Sequence, residues 1–151
     1  MLEEDDVVRV KNRGVVDQYL RSGGIICSDA AIVSDDLEIE WPFSPPGMPQ
    51  QFDGIELSAL REWLKRSLSN WKLEGEPTFY ELPNPDKFIV ESSHTAMTKW
   101  SGISGKLNIS FTSFFTLSRG KVTRVREFFD PLDFYRAINK EFRSFPFHAV
   151  S

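Results

Sequence analysis

Glu127 is the residue whose neighbours most suggest chemistry. In the segment Val122 to Asp130, alternate side chains fall into two sets. Thr123, Val125, Glu127 and Phe129 make one side of a strand; Val122, Arg124, Arg126, Phe128 and Asp130 make the other. A carboxyl that shares a strand face with Val125 and Phe129 loses hydration if that face lines a cavity. Its charged form is then disfavoured and its pKa rises. A carboxyl poised near neutrality serves as general acid or base. The alternative is a glutamate paired with an arginine or set at a solvated sheet edge. His94 lies mid-strand within Lys87 to Trp100 and has an ordinary pKa near 7; its alternative is a hydrogen-bonded structural histidine. Glu91 is the second carboxylate candidate, with a cross-strand ion pair to Lys or Arg as the alternative. Trp41, Trp63, Phe115, Phe129 and Val125 are the candidate substrate-binding walls, and the Trp pair serves equally well as plain core.

Other chemistries find little support. The two histidines, His94 and His148, are far apart and the single cysteine is Cys27, so no metal-ligand spacing arises. No G-x-G-x-x-G, Walker A loop or G-x-S-x-G elbow occurs. We therefore expect neither a metal nor a cofactor. One thiol cannot form an intramolecular disulfide. With 18 Lys plus Arg against 22 Asp plus Glu, the net charge is -4. That balance lacks the basic surplus that nucleic acid or an anionic membrane needs. The acidic start, Met1 to Asp6, has no signal-peptide character, and no apolar run approaches the roughly 20 residues of a membrane span. A cytoplasmic protein is expected.

The elements that must position these residues follow from periodicity. At 151 residues the chain is expected to form one domain. Val7 to Leu20 reads as a helix stopped by Gly23-Gly24, and Ser28 to Val33 as a short second helix. Leu37 to Trp41 alternates as a strand, and the proline-rich run Pro42 to Pro49 is a loop. Asp53 and Glu56 have capping-box spacing before a helix with Leu57, Leu60, Leu64 and Leu68 on one face, ending near Asn70. Four strands follow, about 72–82, 87–100, 106–117 and 121–129, joined by short turns and therefore antiparallel. Asp130-Pro131-Leu132-Asp133 opens a last helix presenting Tyr135, Ile138 and Phe142. The expected class is α+β. Phe supplies 13 residues against 4 Trp and 3 Tyr, and most of the strand phenylalanines fall on both faces of the meander. That distribution suits a curved sheet with a cavity on one side and a partner on the other.

Several segments together resemble one family. Trp41 to Pro49 followed by Phe52-Asp53-Gly54, and Gly120 through Pro131, are similar to the nuclear transport factor 2-like superfamily in its SnoaL-like, ketosteroid isomerase-related branch. Lys11-Asn12-Arg13, Phe88-Ile89-Val90-Glu91 and Arg126-Glu127-Phe128 resemble the phenazine biosynthesis proteins A and B. The resemblance implies a cone-shaped fold, in which a strongly curved, mostly antiparallel sheet wraps N-terminal helices around a deep pocket and a C-terminal helix follows. It implies dimers. It also implies that Glu127 matches a glutamate serving as acid/base in a condensation of ketone-bearing precursors. One departure stands out: where those proteins carry a histidine on the helix before the meander, this chain has Arg61 and Glu62.

The expected function is cofactor-free isomerisation, cyclisation, condensation or dehydration of a small hydrophobic molecule, by a homodimer. Glu127 would exchange the proton, with His94 or Glu91 as partner. The alternative is a non-catalytic ligand-binding or dimeric accessory module of the same fold.

Overall fold

The computed structural model describes residues 3–99 and 105–138, the last four for backbone alone. The turn expected after Trp100, and Phe142, lie outside the described residues, as do the side chains of Tyr135 and Ile138.

The first helix, α1 (Glu4–Arg21), buries Asn12, Val16, Tyr19 and Leu20, and carries Glu4, Asp5 and Asp6 at its electropositive start. Gly23 ends it at φ 102°, a left-handed conformation that glycine adopts without strain. A single 3-10 turn, Gly24–Ile26, follows. The expected helix at 28–33 does not form. Asp29 closes a turn instead, with its backbone carbonyl accepting from Ile32 and Val33. Strand β1 (Val33–Glu40) then starts four residues earlier than the alternation suggests.

After the proline loop come a two-residue strand, β2 (Gln51–Phe52), and α2 (Gly54–Ser67). The expected capping box is not made: the Asp53 side chain caps nothing, and its backbone carbonyl accepts from Leu57 N. Helix α2 buries Leu57, Leu60, Trp63 and Leu64, and ends at Ser67 because β3 (Leu68–Glu81) begins at once. The remaining elements are β4 (Lys87–Thr98), β5 (Gly105–Ser118), β6 (Lys121–Phe128) and α3 (Pro131–Ile138). Asp130 Oδ1 accepts from Leu132 N and tightens the entry to α3.

The six strands form one sheet in the order β2-β1-β6-β5-β4-β3. Strands β3 to β6 are the expected antiparallel meander, and β5 and β6 join through Arg119 (φ 53°) and Gly120 (φ 76°), the paired positive values of a hairpin turn. β1 enters parallel to β6, an arrangement that short joints could not announce. Register shifts between Ser69 and Lys72 and between Glu74 and Thr78 bend β3. The result is an α+β fold in which helices pack inside one curved, mixed sheet. Its inner face is the row Phe88, Val90, Ser92, His94 and Ala96 on β4 and Leu107, Ile109, Phe111, Ser113, Phe115 and Leu117 on β5, all buried. Among the described residues no helix is long and apolar enough to cross a membrane.

Candidate functional site

Register brings two distant residues together. In the parallel β1–β6 pair, Glu40 lies opposite Arg126. The next residues, Trp41 and Glu127, both turn inward, and Trp41 Nε1 donates to Glu127 Oε1 at 3.0 Å. Outside, Glu40 holds Arg126 at 2.8 Å and also Arg124, so the two arginines of β6 are held away from the interior carboxyl. These contacts hold Glu40 below the usual carboxylate range, the Arg126 hydrogen bond contributing most. The alternative of an arginine-paired Glu127 is thus taken up by Glu40.

Glu127 is 5% exposed. Burial pushes its pKa up to about 7, against the Trp41 hydrogen bond, which favours the ionised form. Trp41 in turn is fixed edge-on by Phe52 (4.9 Å) and Phe129 (5.0 Å), with Phe134 of α3 at 6.0 Å.

Glu127, Trp41 and His94 line one cavity beneath α3, closed by Leu64 of α2, Trp71 of β3 and Phe134. Its volume is about 20 Å³, room for roughly one water molecule. His94 is 2% exposed, lies against Phe111 (5.5 Å) and Trp71 (5.2 Å), and has Nε2 2.9 Å from Ser92 Oγ. Burial pushes its pKa down to about 4, so the ring is neutral at pH 7.

The other sequence candidates divide. Glu91 is exposed on the outer sheet face, away from the cavity, because inward positions on β4 are the even-numbered ones. Its neighbour is Tyr80, whose phenol it holds above the ordinary value, rather than the expected Lys or Arg. Trp63 is buried in the core but does not line the cavity. Phe115 packs on Tyr19 at 5.4 Å, and Val125 is core. Phe129 stands behind the wall, joining Trp41 to Phe111. Among the described residues no three His, Cys, Asp or Glu side chains gather as metal ligands would.

The sequence reading missed Trp71, Phe134 and Tyr19. Trp71 stands at a bulge where alternation is lost. Phe134 is not among Tyr135, Ile138 and Phe142, the residues by which the last helix is read from its sequence. Tyr19 reads as core, yet its buried hydroxyl has no partner among the described residues and its pKa is raised, first by burial and then by the charge of Glu127. Arg61, on the helix where the resemblance implied a histidine, spends its guanidinium on the backbone carbonyls of Ile25 (2.9 Å) and Cys27 (3.0 Å). In Lys11-Asn12-Arg13, Asn12 bonds Pro85 O and Asp86 Oδ1, and Arg13 covers the Phe79 ring at 4.5 Å. That motif clamps the β3–β4 turn.

Known proteins bear out the fold and the family. A phenazine biosynthesis protein of Pseudomonas fluorescens (PhzA) is 32% identical, over 87% of this chain and 82% of its own length. A crystal structure of a phenazine biosynthesis-related protein from Pseudomonas aeruginosa superposes with a TM-score of 0.74 at 22% identity, covering 98% of this chain and 94% of that one. A protein classed with the SnoaL-like polyketide cyclases, from a Jannaschia species, gives 0.63 at 18% identity, covering 85% and 92%. The profile of phenazine biosynthesis protein A/B matches residues 2–144. The chain belongs to the phenazine biosynthesis protein A/B family.

Proposed function

We propose that the chain is a cofactor-free acid/base enzyme, acting on a small hydrophobic molecule beside Glu127. Glu127 moves a proton at a carbon next to a carbonyl or imine, in an isomerisation, cyclisation, condensation or dehydration. The observation that carries this reading is the buried Glu127 carboxyl, held by Trp41 and raised to about 7, where both protonation states are populated at neutral pH. The relatives' names, phenazine biosynthesis and polyketide cyclase, support a biosynthetic setting. His94 is neutral near pH 7 and takes part as a hydrogen-bonding group. The working unit in this reading is a cytoplasmic homodimer. A ring-sized substrate exceeds the cavity, so binding parts its walls, with Phe134 the wall on the short helix α3.

The test is hydrogen–deuterium exchange into cyclic ketones in D2O, followed by NMR. The protein accelerates exchange at the carbon next to the carbonyl, and Glu127→Gln lowers the rate by about a hundredfold or more. Full activity in that variant sinks the proposal.

A second reading, a ligand-binding module without catalysis, draws on one observation: Arg61 is committed to backbone carbonyls where the family's helix carries a histidine. Absence of exchange across a broad ketone panel, with the same ketones still bound, favours that reading.

A further inference from the structure

Two ring nitrogens of residues that share a cavity with Glu127 lack partners among the described residues. Trp71 Nε1 and His94 Nδ1 are buried and meet no hydrogen-bonding atom among the described residues. Both residues line the cavity that contains Glu127, and their rings stack at 5.2 Å and 25°. Buried polar groups are nearly always satisfied, so two orphans at one titratable carboxyl need a cause.

Their chemistry is narrow. An indole Nε1–H only donates. The neutral His94 ring carries one proton, and its Nε2 lies 2.9 Å from Ser92 Oγ. The Ser92 hydroxyl can donate to Nε2, which leaves the proton on Nδ1. Both orphaned nitrogens are then donors on stacked rings that line the same cavity.

We propose that Trp71 Nε1–H and His94 Nδ1–H form a donor pair for the carbonyl oxygen of the substrate, and stabilise the charge that this oxygen gains when Glu127 removes the neighbouring proton. The proposal rests on the acid/base reading of Glu127. The Glu127 carboxylate takes the proton from carbon and becomes the acid. The C–H electron pair becomes the enolate C=C bond, and the C=O π pair moves onto oxygen. In an isomerisation Glu127 returns the proton to another carbon; in a cyclisation the enolate carbon attacks a second carbonyl carbon of the same molecule, the first C=O re-forms, and the π pair of the second moves onto its oxygen, which takes the proton from Glu127. Neutral donors fixed beforehand in a site with room for about one water act most strongly as charge develops. The substrate class is a planar ketone or enone, its oxygen at the Trp71–His94 side and its acidic C–H at Glu127.

A phenolate oxygen on a flat ring mimics the enolate. The probe is 4-nitrophenol at mildly alkaline pH, with 4-nitrotoluene as the matched compound lacking the oxygen. Both are titrated into Glu127→Gln protein, whose amide stands in for protonated Glu127. Adding Trp71→Phe or His94→Phe weakens 4-nitrophenolate by about tenfold and leaves 4-nitrotoluene within about twofold. The Trp71 indole N–H resonance, assigned by its loss in Trp71→Phe, moves downfield when 4-nitrophenolate binds. Equal losses for both compounds, no loss for either, no binding to the parent protein, or an unmoved indole resonance would each overturn the donor pair. Ketone exchange separates this from the reading beneath it. If exchange falls in Glu127→Gln but is unchanged in Trp71→Phe and His94→Phe, the acid/base role stands and the donor pair fails.

Discussion

Trp41 Nε1 lies 3.0 Å from Glu127 Oε1, a hydrogen bond spanning 86 positions of sequence. It is made because β1 runs parallel to β6 with Glu40 opposite Arg126. The bond favours ionised Glu127 while burial opposes it. In Trp41→Phe the ring remains but the donor goes. The Glu127 pKa therefore moves above its present value of about 7. If Glu127 acts as base, the rising limb of the pH–rate profile for ketone exchange shifts to higher pH, and the rate at pH 7 falls. A limb that stays in place or moves down contradicts the role given to Trp41.

Glu127 and His94 impose opposite pH dependences on stability. Glu127 has a folded pKa of about 7, above its ordinary 4.5, so its contribution is full below pH 4.5 and is lost as pH rises through 7. His94 has a folded pKa of about 4, below its ordinary 6.5, so the unfolded state takes up its proton first, and stability is lost as pH falls from 6.5 through 4. Between these limits the two slopes offset each other in the native protein. Glu127→Gln removes one of them. Its unfolding free energy, from urea titrations at several pH values, rises from pH 4.5 to 6.5, and the decline that the parent shows approaching pH 7 is gone. Parallel curves for the two proteins contradict the burial-driven shift of Glu127.

Phe134 packs on Trp41 and on Phe129 (5.4 Å) and closes the cavity from α3. Truncation to alanine removes this wall. Phe134→Ala lowers stability by about 3 kcal/mol, at the lower end for a buried Phe because α3 is a single short helix. It also speeds the binding of a planar aromatic probe, followed by quenching of tryptophan fluorescence. A slower or unchanged association rate would place the entrance elsewhere.

The legible parts of the fold were those written in local period. The alternations of β4, β5 and β6 sorted His94 from Glu91 and grouped Glu127 with Val125 and Phe129, leaving open which face turns inward, and the Asp130-Pro131 signal placed α3. What stayed hidden depends on long-range register. Nothing near Leu37 announces that β1 will lie parallel to β6, yet that pairing delivers Trp41 to Glu127. Trp71 follows Asn70, whose φ of 54° breaks the alternation that would have marked its face. The capping-box spacing at Asp53 and Glu56 promised a contact that the helix does not make. Glu91 and Glu127 look alike as glutamates on alternating strands, and only strand parity separates them.

Asn12 illustrates a family motif with a structural task. Its buried amide holds Pro85 O at 3.0 Å and Asp86 Oδ1 at 2.9 Å, fixing the turn that sets the β3–β4 register. Asn12→Ala leaves both acceptors without this donor and costs about 1–3 kcal/mol in urea unfolding. Ketone exchange per folded molecule stays within about twofold, since the cavity lining does not include this turn. A large loss of exchange in a fully folded variant would move Asn12 into the site.

The outer sheet face is where a second copy is expected. Phe43, Phe128 and Phe114 run across it with ring centroids 5.8 and 5.7 Å apart, and Phe43 and Phe114 are exposed. On one side of Phe114 lie Lys87, Arg124 and Arg126; beyond Phe128 lie Glu74, Glu76 and Glu91. A two-fold axis near these rings would set the basic half of one copy against the acidic half of the other, the self-complementarity an isologous interface requires. Sedimentation at micromolar concentration then gives about twice 17.4 kDa. Phe114→Glu inserts a charge into the apolar strip and yields monomer, whereas Phe114→Leu keeps the dimer. Raising salt to about 1 M shortens the screening length to roughly 3 Å and weakens association by loosening the two charged halves. A native protein that sediments as a monomer, or a Phe114→Glu variant that remains a dimer, removes this face from the assembly.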